Sequence, residues 1–578
     1  MPRTVLAGTS GSPGPFGGVL ALGLALAILV GPGPARAQDP IVQRLDSLLL
    51  PLSGGAVPGC AVGVMRDGRL LVERAYGMAD LEHDVGNDTA TIFEAGSVSK
   101  QMTAAAVLLL VERGKLNLDD EARRWLPEIP PFQGRQMTVA DLLHHTSGLR
   151  DWGAIVALRG WAQGSAVYTN AHVLDLVTRQ RALNFEPGRE FLYSNTNYNL
   201  LAVLVERVSG QTLAEFTRAE LFRPLAMNHT SWRDDHTRIV RGRAIAYERR
   251  SSDGLAPGLT RGDSLSAEHI AMPSEDAYGN SGLLTTVGDL LRWNEELRTG
   301  RVLGARFGRE LERPGVLPGG RATAYAAGLF VSSYRGGTEI WHTGAVGGYR
   351  AFLARYPASK LSVALLCNSG QLDPLIVGHR VADLFLRGND DRAVRDRSRF
   401  VPSARMRGLR PVTGLYWDTR TAEPVRLIPE NNGSMSEGSP VLVVSATEFR
   451  LASNLLVRII ARYVRGRPRP QLLWITPDAD TSFLEPVEPF SPATDLLGYT
   501  GEWYSPEAEV TYVVALQDGK LTVMFRPDVS FQLTPLYADA FSARGLIFRF
   551  DRDSAGNVAG LGIWVHRARN VRFLRLLP

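Results

Sequence analysis

Residues 93–103 read Phe-Glu-Ala-Gly-Ser-Val-Ser-Lys-Gln-Met-Thr and place Ser97 three positions before Lys100. The next residues, 101–113, are rich in Ala, Leu and Val and contain neither Gly nor Pro, so they predict a buried helix that Gly114 ends. If Ser97 begins this helix, it shares one helical face with Lys100, about one turn away. A serine hydroxyl is a poor nucleophile until a nearby base takes its proton, and a helix N-terminus favours the negative charge that develops.

Lys100 is informative because the chain contains so few lysines. Only four of the 64 Lys and Arg residues are lysine. Arginine keeps its proton in proteins, whereas lysine can lose its proton when burial or a neighbouring cation lowers its pKa from about 10.4. We therefore take Ser97 as the candidate nucleophile and Lys100 as a candidate base. The alternative is a solvated lysine at the start of a surface helix.

Two later stretches strengthen the catalytic interpretation. Tyr193-Ser194-Asn195 follows a Glu-Pro-Gly turn and opens an apolar stretch, 200–208, that predicts a helix. His342-Thr343-Gly344 follows a strand-like Glu-Ile-Trp segment and precedes Ala-Val-Gly-Gly. Both stretches place polar side chains directly at the junction between predicted elements.

In this order, Ser-x-x-Lys, Tyr-Ser-Asn and His-Thr-Gly resemble the motifs of the penicillin-recognising serine hydrolases. That family includes class C β-lactamases, D-alanyl-D-alanine carboxypeptidases, D-aminopeptidases and related esterases. The second motif is of the kind found in the class C and D-peptidase branch, and the third has His where many members have Lys, as in D-aminopeptidases and many esterases. The resemblance covers roughly residues 40–395 and extends to segments 114–120, 141–149 and 281–286.

The resemblance implies a reaction in which Ser97 attacks a carbonyl group and forms an acyl-enzyme that water hydrolyses. Lys100 and Tyr193 are both candidate general bases, and a coupled pair can share the proton. Asn195 would hold the substrate amide or orient Lys100. The backbone N–H groups of Ser97 and Ala345 would bind the oxyanion.

The His-Thr-Gly motif is implied to line the substrate cleft, with His342, Thr343 and Gly344 as substrate-binding residues. His342 would bind a carboxylate or tune Tyr193. Histidine titrates near pH 6.5 unless its environment shifts the pKa. Because neutral His342 still donates one hydrogen bond, we expect activity to persist at pH 8. The missing lysine also weakens the case for a dedicated β-lactamase.

Other polar residues are interpreted as structural. His144 and His145 precede a turn, and Asp141 is expected to cap a helix or form a salt bridge with one. The sequence contains no His-x-x-x-His pattern or carboxylate cluster typical of a metal site. We therefore expect neither a metal nor a cofactor.

The N-terminal residues 1–37 predict a secretory signal. A basic Arg3 precedes the apolar stretch 19–30, and a small-x-small site ends at Ala37. An uncleaved N-terminal anchor is the alternative. Cleavage removes two arginines and no acid, which takes the net charge from +5 to +3 and gives no reason to expect nucleic-acid binding. We expect a periplasmic or extracellular protein with no stable membrane span after signal removal.

The chain contains two cysteines, Cys60 and Cys367, which lie in strand-like runs. In the fold that the resemblance implies, the first and last strands of the sheet are neighbours, so the two residues could face each other. An exported protein permits a disulfide, and buried free thiols are the alternative.

The predicted fold is of the α/β (α+β) class. An antiparallel sheet of the β-lactamase/transpeptidase kind is flanked by helices, and a separate helical region holds Tyr193. Residues 55–77 predict a hairpin with strands at 59–65 and 70–76, and residues 320–368 predict three strands. This serine hydrolase domain is assigned to residues 38–395.

Beyond a charged linker at 390–397, short strands and turns replace helical patterns. Residues 412–417 and 499–504 resemble each other, and Asn432-Gly433 and Asp518-Gly519 predict hairpin turns. We predict two small antiparallel barrels at 405–490 and 493–578, similar to the lipocalin-like domains that accompany D-aminopeptidases. In the first barrel, residues 455–463 leave a helix open as the alternative.

These observations predict an exported serine hydrolase that cleaves an amide or ester bond in a small molecule or peptide, with cell-wall peptides among the candidates. A D-aminopeptidase-like or esterase-like enzyme is favoured over a β-lactamase or a D,D-carboxypeptidase. A non-catalytic sensor of cell-wall peptide is the competing class. The barrels could instead gate the cleft or build an oligomer. The substrate, its stereochemistry and the oligomeric state stay open.

Overall fold

A computed structural model describes residues 40–52, 57–160, 166–249 and 268–386 of the N-terminal part. In the C-terminal part it describes 412–427, 441–445, 447–451, 457–475, 481–491, 493–526 and 529–576. The predicted signal segment, the charged linker and the Asn432-Gly433 turn lie outside the described residues. The predicted domain limits at 38, 395, 405 and 490 therefore stay predictions.

The described α-helices all lie in the N-terminal part. They are α1 Pro40–Leu49, α2 Lys100–Glu112, α3 Val139–Leu143, α4 Trp152–Ala157, α5 Asn170–Thr178, α6 Asn195–Ser209, α7 Leu213–Thr217, α8 Val287–Thr299, α9 Ala305–Leu311 and α10 Pro374–Phe385. Short 3-10 turns occur at Leu50–Leu52, Gly96–Ser99, Ala122–Arg124, Pro357–Ser359 and Leu497–Tyr499, and a π-helical turn at Arg218–Phe222. Among the described helices, none combines the length and the hydropathy needed to cross a bilayer.

The strands of the N-terminal part form one large sheet and several two- or three-stranded ribbons. They are β1 Cys60–Arg66, β2 Arg69–Tyr76, β3 Met78–Asp80, β4 Val85–Gly86, β5 Phe93–Glu94, β6 Ser231–Trp232, β7 Tyr247–Arg249, β8 Glu268–Ile270, β9 Leu283–Thr285, β10 Val316–Leu317, β11 Arg321–Ala322, β12 Phe330–Tyr334, β13 Gly337–Val346, β14 Tyr349–Tyr356 and β15 Leu361–Cys367.

The large sheet has the order β12-β13-β14-β15-β1-β2, and each neighbouring pair is antiparallel. The two predicted hairpin strands, 59–65 and 70–76, are confirmed by β1 and β2, as is the pairing of the first strand with the last. The prediction of three strands within 320–368 is wrong, because this range contains five strands, β11 to β15, of which the last four belong to the large sheet. The turn at Arg335 and Gly336, both with positive φ, divides β12 from β13.

Strand β15 is buried along its whole length because helices cover both faces of the sheet. Val363 and Leu365 pack with α1 and α10 on one face. Ala364 and Leu366 pack with α2, α8 and α9 on the other. Side chains alternate between the faces of a strand, so a central strand with two covered faces is a continuous apolar run.

A disulfide joins Cys60 and Cys367, which lie directly opposite each other in the β1–β15 pairing. The structure therefore selects the disulfide over the buried free thiols. The bridge lies on the face of the sheet covered by α1 and α10. It ties together two strands that are 307 residues apart in sequence.

The C-terminal part contains two antiparallel sheets. The first comprises β16 Gly414–Asp418, β17 Pro424–Leu427, β18 Val441–Val443, β19 Glu448–Leu451, β20 Arg458–Arg462, β21 Gln471–Ile475 and β22 Thr481–Pro486. The second comprises β23 Gly501–Ser505, β24 Val510–Gln517, β25 Lys520–Arg526, β26 Val529–Gln532, β27 Thr534–Tyr537, β28 Ala540–Ala543, β29 Leu546–Arg552, β30 Val558–Val565 and β31 Ala568–Arg575.

Both C-terminal sheets are barrel-like, as predicted. In the second sheet, β26 and β27 occupy opposite edges of the strand order, although Leu533 alone separates them in sequence. The sheet must therefore curl round until its two edges meet. The predicted turn at Asp518-Gly519 joins β24 to β25. The alternative of a helix at 455–463 is wrong for the part that is described, because β20 is a strand.

The second barrel docks on the helical region that contains α4 and α5. Trp152 and Ile155 of α4 share one hydrophobic core with Trp503 and Tyr512 of the barrel. The Tyr512 hydroxyl donates a hydrogen bond to the carbonyl of Leu158 at 2.6 Å. The barrel is thus packed against the N-terminal domain through a common apolar core.

A buried ion pair reinforces this docking. A guanidinium nitrogen of Arg150 lies 2.6 Å from a carboxylate oxygen of Glu507. The two side chains are buried, with exposed fractions of 2% and 4%. Arg150 also donates to the carbonyls of Arg569 and Asn570 in the β30–β31 hairpin. These bonds fix the position of the hairpin turn that carries Arg567.

Candidate active site

Ser97 lies on the 3-10 turn that runs directly into α2, whose first residue is Lys100. The predicted helix is confirmed, and Gly114, with φ of +66°, follows its end. Gly96 has φ of +51°, and a side-chain carbon at this position would lie 2.7 Å from the backbone nitrogen of Ala345. Glycine at this position therefore lets the Ser97 turn approach strand β13 closely.

The Lys100 amine has three polar neighbours. Its nitrogen lies 3.0 Å from Oγ of Ser97, 2.9 Å from Oδ1 of Asn195 and 2.8 Å from the carbonyl oxygen of Asn280. The two carbonyl oxygens can only accept hydrogen bonds, whereas a serine hydroxyl can donate one. A neutral amine that donates to both carbonyls keeps its lone pair for the Ser97 hydroxyl.

The surroundings of Lys100 favour this neutral form. The side chain is fully buried, and burial lowers its pKa well below the ordinary value. The Arg567 guanidinium lowers this pKa further, and the carboxylate of Asp151 opposes the shift. The structure therefore places an amine with a lowered pKa beside the candidate nucleophile.

Tyr193 lies at the end of the loop before α6. Its ring centroid is 4.7 Å from the Lys100 amine and 4.6 Å from the Arg567 guanidinium carbon, so both basic side chains contact the ring. Burial raises the pKa of the Tyr193 hydroxyl, although the nearby Ser97 hydroxyl and Arg567 partly oppose this rise. Tyr193 is therefore a neutral phenol at physiological pH.

Asn195 begins α6 and is held by the side chain of Asp151, which accepts a hydrogen bond from the Asn195 backbone nitrogen at 2.7 Å. Asp151 is itself the N-cap of α4. Asn195 was predicted either to hold the substrate amide or to orient Lys100. Its amide oxygen accepts a hydrogen bond from the Lys100 amine, and this geometry favours the second role. Asn195 also lines the cavity described below.

His342 is buried, with 3% of its surface exposed. It is not among the described residues that line the cavity at Ser97, which is presented below. Its Nε2 lies 3.1 Å from the hydroxyl of Tyr325, and its Nδ1 contacts the carbonyl of Thr343. Burial lowers its pKa to about 3. The structure thus places His342 behind Tyr193 as a neutral side chain, and not at the substrate surface that the sequence predicted.

The edge of β13 that follows His342 faces the Ser97 turn. Pairing of β13 with β12 ends at Trp341, whereas its pairing with β14 continues to Val346. A side-chain carbon at Gly344 would lie 2.0 Å from the carbonyl oxygen of Ala95, so only glycine fits there. Ala345 is exposed and lines the same cavity as Ser97. Its backbone N–H is therefore placed on the side where an oxyanion would form.

A cavity of about 300 Å³ opens at Ser97. Its polar wall includes Asn195, Asn280 and Glu275. Its apolar wall is formed by residues of α4 and its neighbours, namely Trp152, Val156, Ala157, Ala166, Tyr168 and Val346. The volume suits a small acyl group or a single amino-acid side chain.

The histidines and acid of segment 141–149 have structural contacts. Nδ1 of His145 lies 3.2 Å from the Ser194 backbone nitrogen and thereby supports the loop that carries Tyr193. Asp141 forms a capping box with Thr138 and an ion pair with Arg135. The prediction that Asp141 caps or salt-bridges a helix is confirmed.

Two small groups of acids and histidine could each hold a cation by distance, namely Asp80, Glu82 and His83, and Asp235, His236 and Asp276. In both groups the histidine bonds an aspartate of its own group. Neither group lines the cavity at Ser97.

Arg567 is the site residue that sequence reasoning missed most completely. It lies in the turn between β30 and β31, and its backbone carbonyl accepts hydrogen bonds from the Asp151 nitrogen and the Asn184 side chain. Its guanidinium lies 3.7 Å from the Asp151 carboxylate. The second barrel therefore contributes a cation to the surroundings of Ser97 and Lys100.

The geometry can be compared with known proteins. The family model described as Beta-lactamase matches residues 41–385, which is more than half of the chain. The chain belongs to the beta-lactamase family. This assignment confirms the family resemblance and the fold class predicted from the three motifs.

Two curated members of the family are among the similar proteins. A penicillin-binding protein of Bacillus subtilis (strain 168) is 28% identical over 315 residues, which cover 52% of this chain and 66% of the relative. The D-aminopeptidase of Brucella anthropi is 28% identical over 311 residues, covering 54% of this chain and 56% of the relative. The chain thus spans between about half and two thirds of the length of these relatives.

A solved structure supports the fold. The octameric penicillin-binding protein homologue from Pyrococcus abyssi superposes with a TM-score of 0.51 at 20% identity, over 84% of this chain and 98% of that one. At this identity the likeness concerns the fold alone. The lipocalin-like character of the barrels stays a prediction.

We expect His342 to remain neutral throughout the working pH range because its pKa is lowered to about 3. A histidine with a lowered pKa is uncharged at every pH above that value. The ratio of kcat/KM between wild type and His342→Gln, measured with an uncharged ester, should therefore stay constant within about twofold from pH 5.5 to 8. A ratio that falls as the pH rises through 6 to 7.5 would show that protonated His342 is required.

Proposed function

We propose that this protein is a serine hydrolase that cleaves an amide or ester bond through an acyl-enzyme on Ser97. The observation that carries the proposal is the Lys100 amine, which is buried, donates to the side-chain oxygen of Asn195 and the backbone carbonyl of Asn280, and lies 3.0 Å from Oγ of Ser97. This is the arrangement that a general base for a serine nucleophile requires.

In the first step, Oγ of Ser97 bonds to the substrate carbonyl carbon while its proton passes to the Lys100 amine. The backbone N–H groups of Ser97 and Ala345 stabilise the oxyanion, and losing one such donor typically costs about 3 kcal/mol. As the bond to the carbonyl carbon breaks, the leaving amine or alcohol takes up the proton that Lys100 received, and Lys100 returns to the neutral amine. Tyr193, a neutral phenol beside Ser97, is suited to relay that proton.

In the second step, water attacks the acyl-enzyme carbonyl. A proton from water returns to the serine oxygen as the acyl bond breaks, and the carboxylic acid leaves. Of the two candidate bases, Lys100 is the better supported because the pKa of its amine is lowered, whereas burial raises the pKa of Tyr193. An ionised phenolate is therefore not the resting base.

Within this class, we propose a D-aminopeptidase-like or esterase-like enzyme acting on small amides, esters or peptides. Similarity to a D-aminopeptidase supports this choice. Neutral His342 also leaves the cavity without the cation that a Lys-Thr-Gly motif would supply. A β-lactamase or D,D-carboxypeptidase is the second candidate, supported by the similarity to a penicillin-binding protein.

We also propose that the protein is exported to the periplasm or the extracellular space. The secretory pattern of residues 1–37 supports this, and so does the disulfide between Cys60 and Cys367, because disulfides persist in oxidising compartments.

The deciding experiment is the intact-protein mass after exposure to a fluorophosphonate and, separately, to penicillin G, for wild type and Ser97→Ala. We expect a fluorophosphonate adduct in wild type only, which would identify Ser97 as the nucleophile. An additional penicillin adduct would favour the penicillin-binding candidate. No adduct with either reagent would contradict the proposal and favour a non-catalytic peptide sensor.

A further inference from the structure

Glu275 places a carboxyl group in the wall of the cavity that contains Ser97. It also lines an adjoining cavity of about 260 Å³, together with Glu248 and Arg350. The side chain is only half-buried, and it forms neither a hydrogen bond nor an ion pair within 4 Å to any residue that the structure describes. A carboxylate in this position is available to a ligand.

Charges of both signs surround Glu275, with Arg233 exerting the largest charge effect on its pKa. Glu94 and Asp151 lie close enough to raise its pKa, and Arg233 is the nearby cation. Both carboxylate oxygens of Glu94 already accept hydrogen bonds from Arg233, at 2.9 and 3.0 Å. Arg350, in the adjoining cavity, donates to the carbonyls of Gly347, Tyr349 and Gly370. Nε and Nη2 of Arg233 and both Nη atoms of Arg350 thus have partners other than Glu275, while Nη1 of Arg233 has no hydrogen-bond partner among the described residues.

Aromatic rings complete this part of the cavity. Trp152 and Tyr168 both line it, with ring centroids 5.5 Å apart. Aromatic faces attract ammonium groups by about 0.5–2 kcal/mol, and the attraction is largest where water is excluded. A cavity that is lined by a carboxylate and by two aromatic rings offers the chemistry that binds an organic cation.

We propose that Glu275 is a specificity-determining residue that binds a protonated amino group on the acyl part of the substrate. This inference rests on the proposed function and refines it, since it restricts the preferred substrates to those whose scissile carbonyl belongs to an amino-bearing acyl group. Trp152 and Tyr168 flank the bound ammonium group. An uncharged acyl group binds without this contact and is a poorer substrate.

The proposal also defines a pH dependence. Burial, together with Glu94 and Asp151, raises the pKa of Glu275 to about 7, while Arg233 opposes this rise. Glu248 faces the same region from β7. Glu275 attracts a cation only when ionised, which is the case above its pKa. Amine binding should therefore strengthen as the pH rises through 7.

The test uses the full-length protein and measures protection of Ser97 from a fluorophosphonate. The matched ligands are 2-phenylethylamine, which stays protonated well above pH 8, and uncharged 2-phenylethanol. In wild type at pH 8 we expect the amine to protect at a concentration at least about tenfold lower than the alcohol does. This preference should shrink at pH 6.

In Glu275→Gln, we expect the preference for the amine to disappear while protection by the alcohol changes by less than about twofold. Glu248→Gln, an equivalent substitution in the adjoining cavity, should keep the preference. A second readout is the ratio of kcat/KM for D-phenylalanine p-nitroanilide to that for its deaminated analogue, 3-phenylpropionyl p-nitroanilide. Wild type should prefer the amino-bearing substrate, and Glu275→Gln should lose this preference.

Several outcomes would overturn the assignment. One is equal protection by amine and alcohol in wild type, and another is an unchanged preference in Glu275→Gln. A third is that Glu275→Gln loses protection by the amine and by the alcohol to the same extent and also has a lower Tm. This would mean that Glu275 serves only as a structural counter-ion of Arg233. Complete failure of Ser97 to react with the fluorophosphonate would instead contradict the proposed function itself.

Discussion

Replacing Lys100 with methionine is expected to lower kcat/KM by about 10²–10⁴-fold, because this removes the general base but keeps a side chain of similar length. Lys100→Arg should be equally inactive. Arginine retains the positive charge and the hydrogen-bond donors of a protonated lysine, but it cannot release its proton. Steady-state hydrolysis of p-nitrophenyl esters, normalised to the concentration of folded protein, measures both losses.

The two Lys100 variants should differ in stability, and this difference tests the charge of the resting amine. If Lys100 is neutral in the folded state, methionine replaces one uncharged buried group with another. Arginine would then bury an unpaired guanidinium, which costs about 3 kcal/mol or more of unfolding free energy. Chemical denaturation measures this difference, and Lys115→Arg at an exposed position is the matched control.

An outcome in which Lys100→Arg is as stable as wild type and Lys100→Met is the less stable variant would contradict a neutral lysine. In that case the amine would carry a proton in the resting enzyme. The base would then have to be sought elsewhere, and Tyr193 would be the first candidate.

The parts of the site that could be predicted from sequence are local. Ser97 and Lys100 are three residues apart, and helix geometry alone brings them together. Asp151 could also have been recognised, because an aspartate before an apolar stretch is a typical helix N-cap. The Asn280 carbonyl could not, since a backbone oxygen leaves no trace in residue type.

Misassigned elements have equally local causes. Tyr-Arg-Gly-Gly at 334–337 is compatible with an irregular loop, whereas positive φ at Arg335 and Gly336 makes it a tight hairpin turn. Residues 455–463 are a short apolar run, and such a run favours helix and strand equally when no partner strand is known. The pairing of β20 with β19 and β21 decides the matter.

Arg567 illustrates what sequence patterns cannot supply. It is separated from Ser97 by most of the chain and lies in a two-residue turn of a barrel whose sequence contains no catalytic motif. Its place in the site depends on the shared apolar core, on the Arg150–Glu507 ion pair and on hydrogen bonds to its own backbone. The second barrel is thus part of the catalytic surroundings and not only an attached domain.

Replacing Arg567 with alanine is expected to lower kcat/KM at pH 7 by about tenfold or more. The guanidinium lowers the pKa of Lys100, so its removal raises that pKa and increases the fraction of protonated, inactive amine. The base works above its pKa, so the loss should be largest at low pH and should narrow as the pH rises. Arg567 is 31% exposed, and solvent screening keeps the effect well below that of losing Lys100 itself.

The pH profile separates this electrostatic role from a structural one. Arg567→Lys retains a positive charge and should recover most of the activity at pH 7, whereas Arg572→Ala on the same hairpin, at a surface ion pair with Asp551, should leave kcat/KM within about twofold of wild type. A loss in Arg567→Ala that is the same at every pH would indicate misplacement of the hairpin. In that case Tyr193, whose ring Arg567 contacts, would be displaced, and the pKa of Lys100 would not be the controlling quantity.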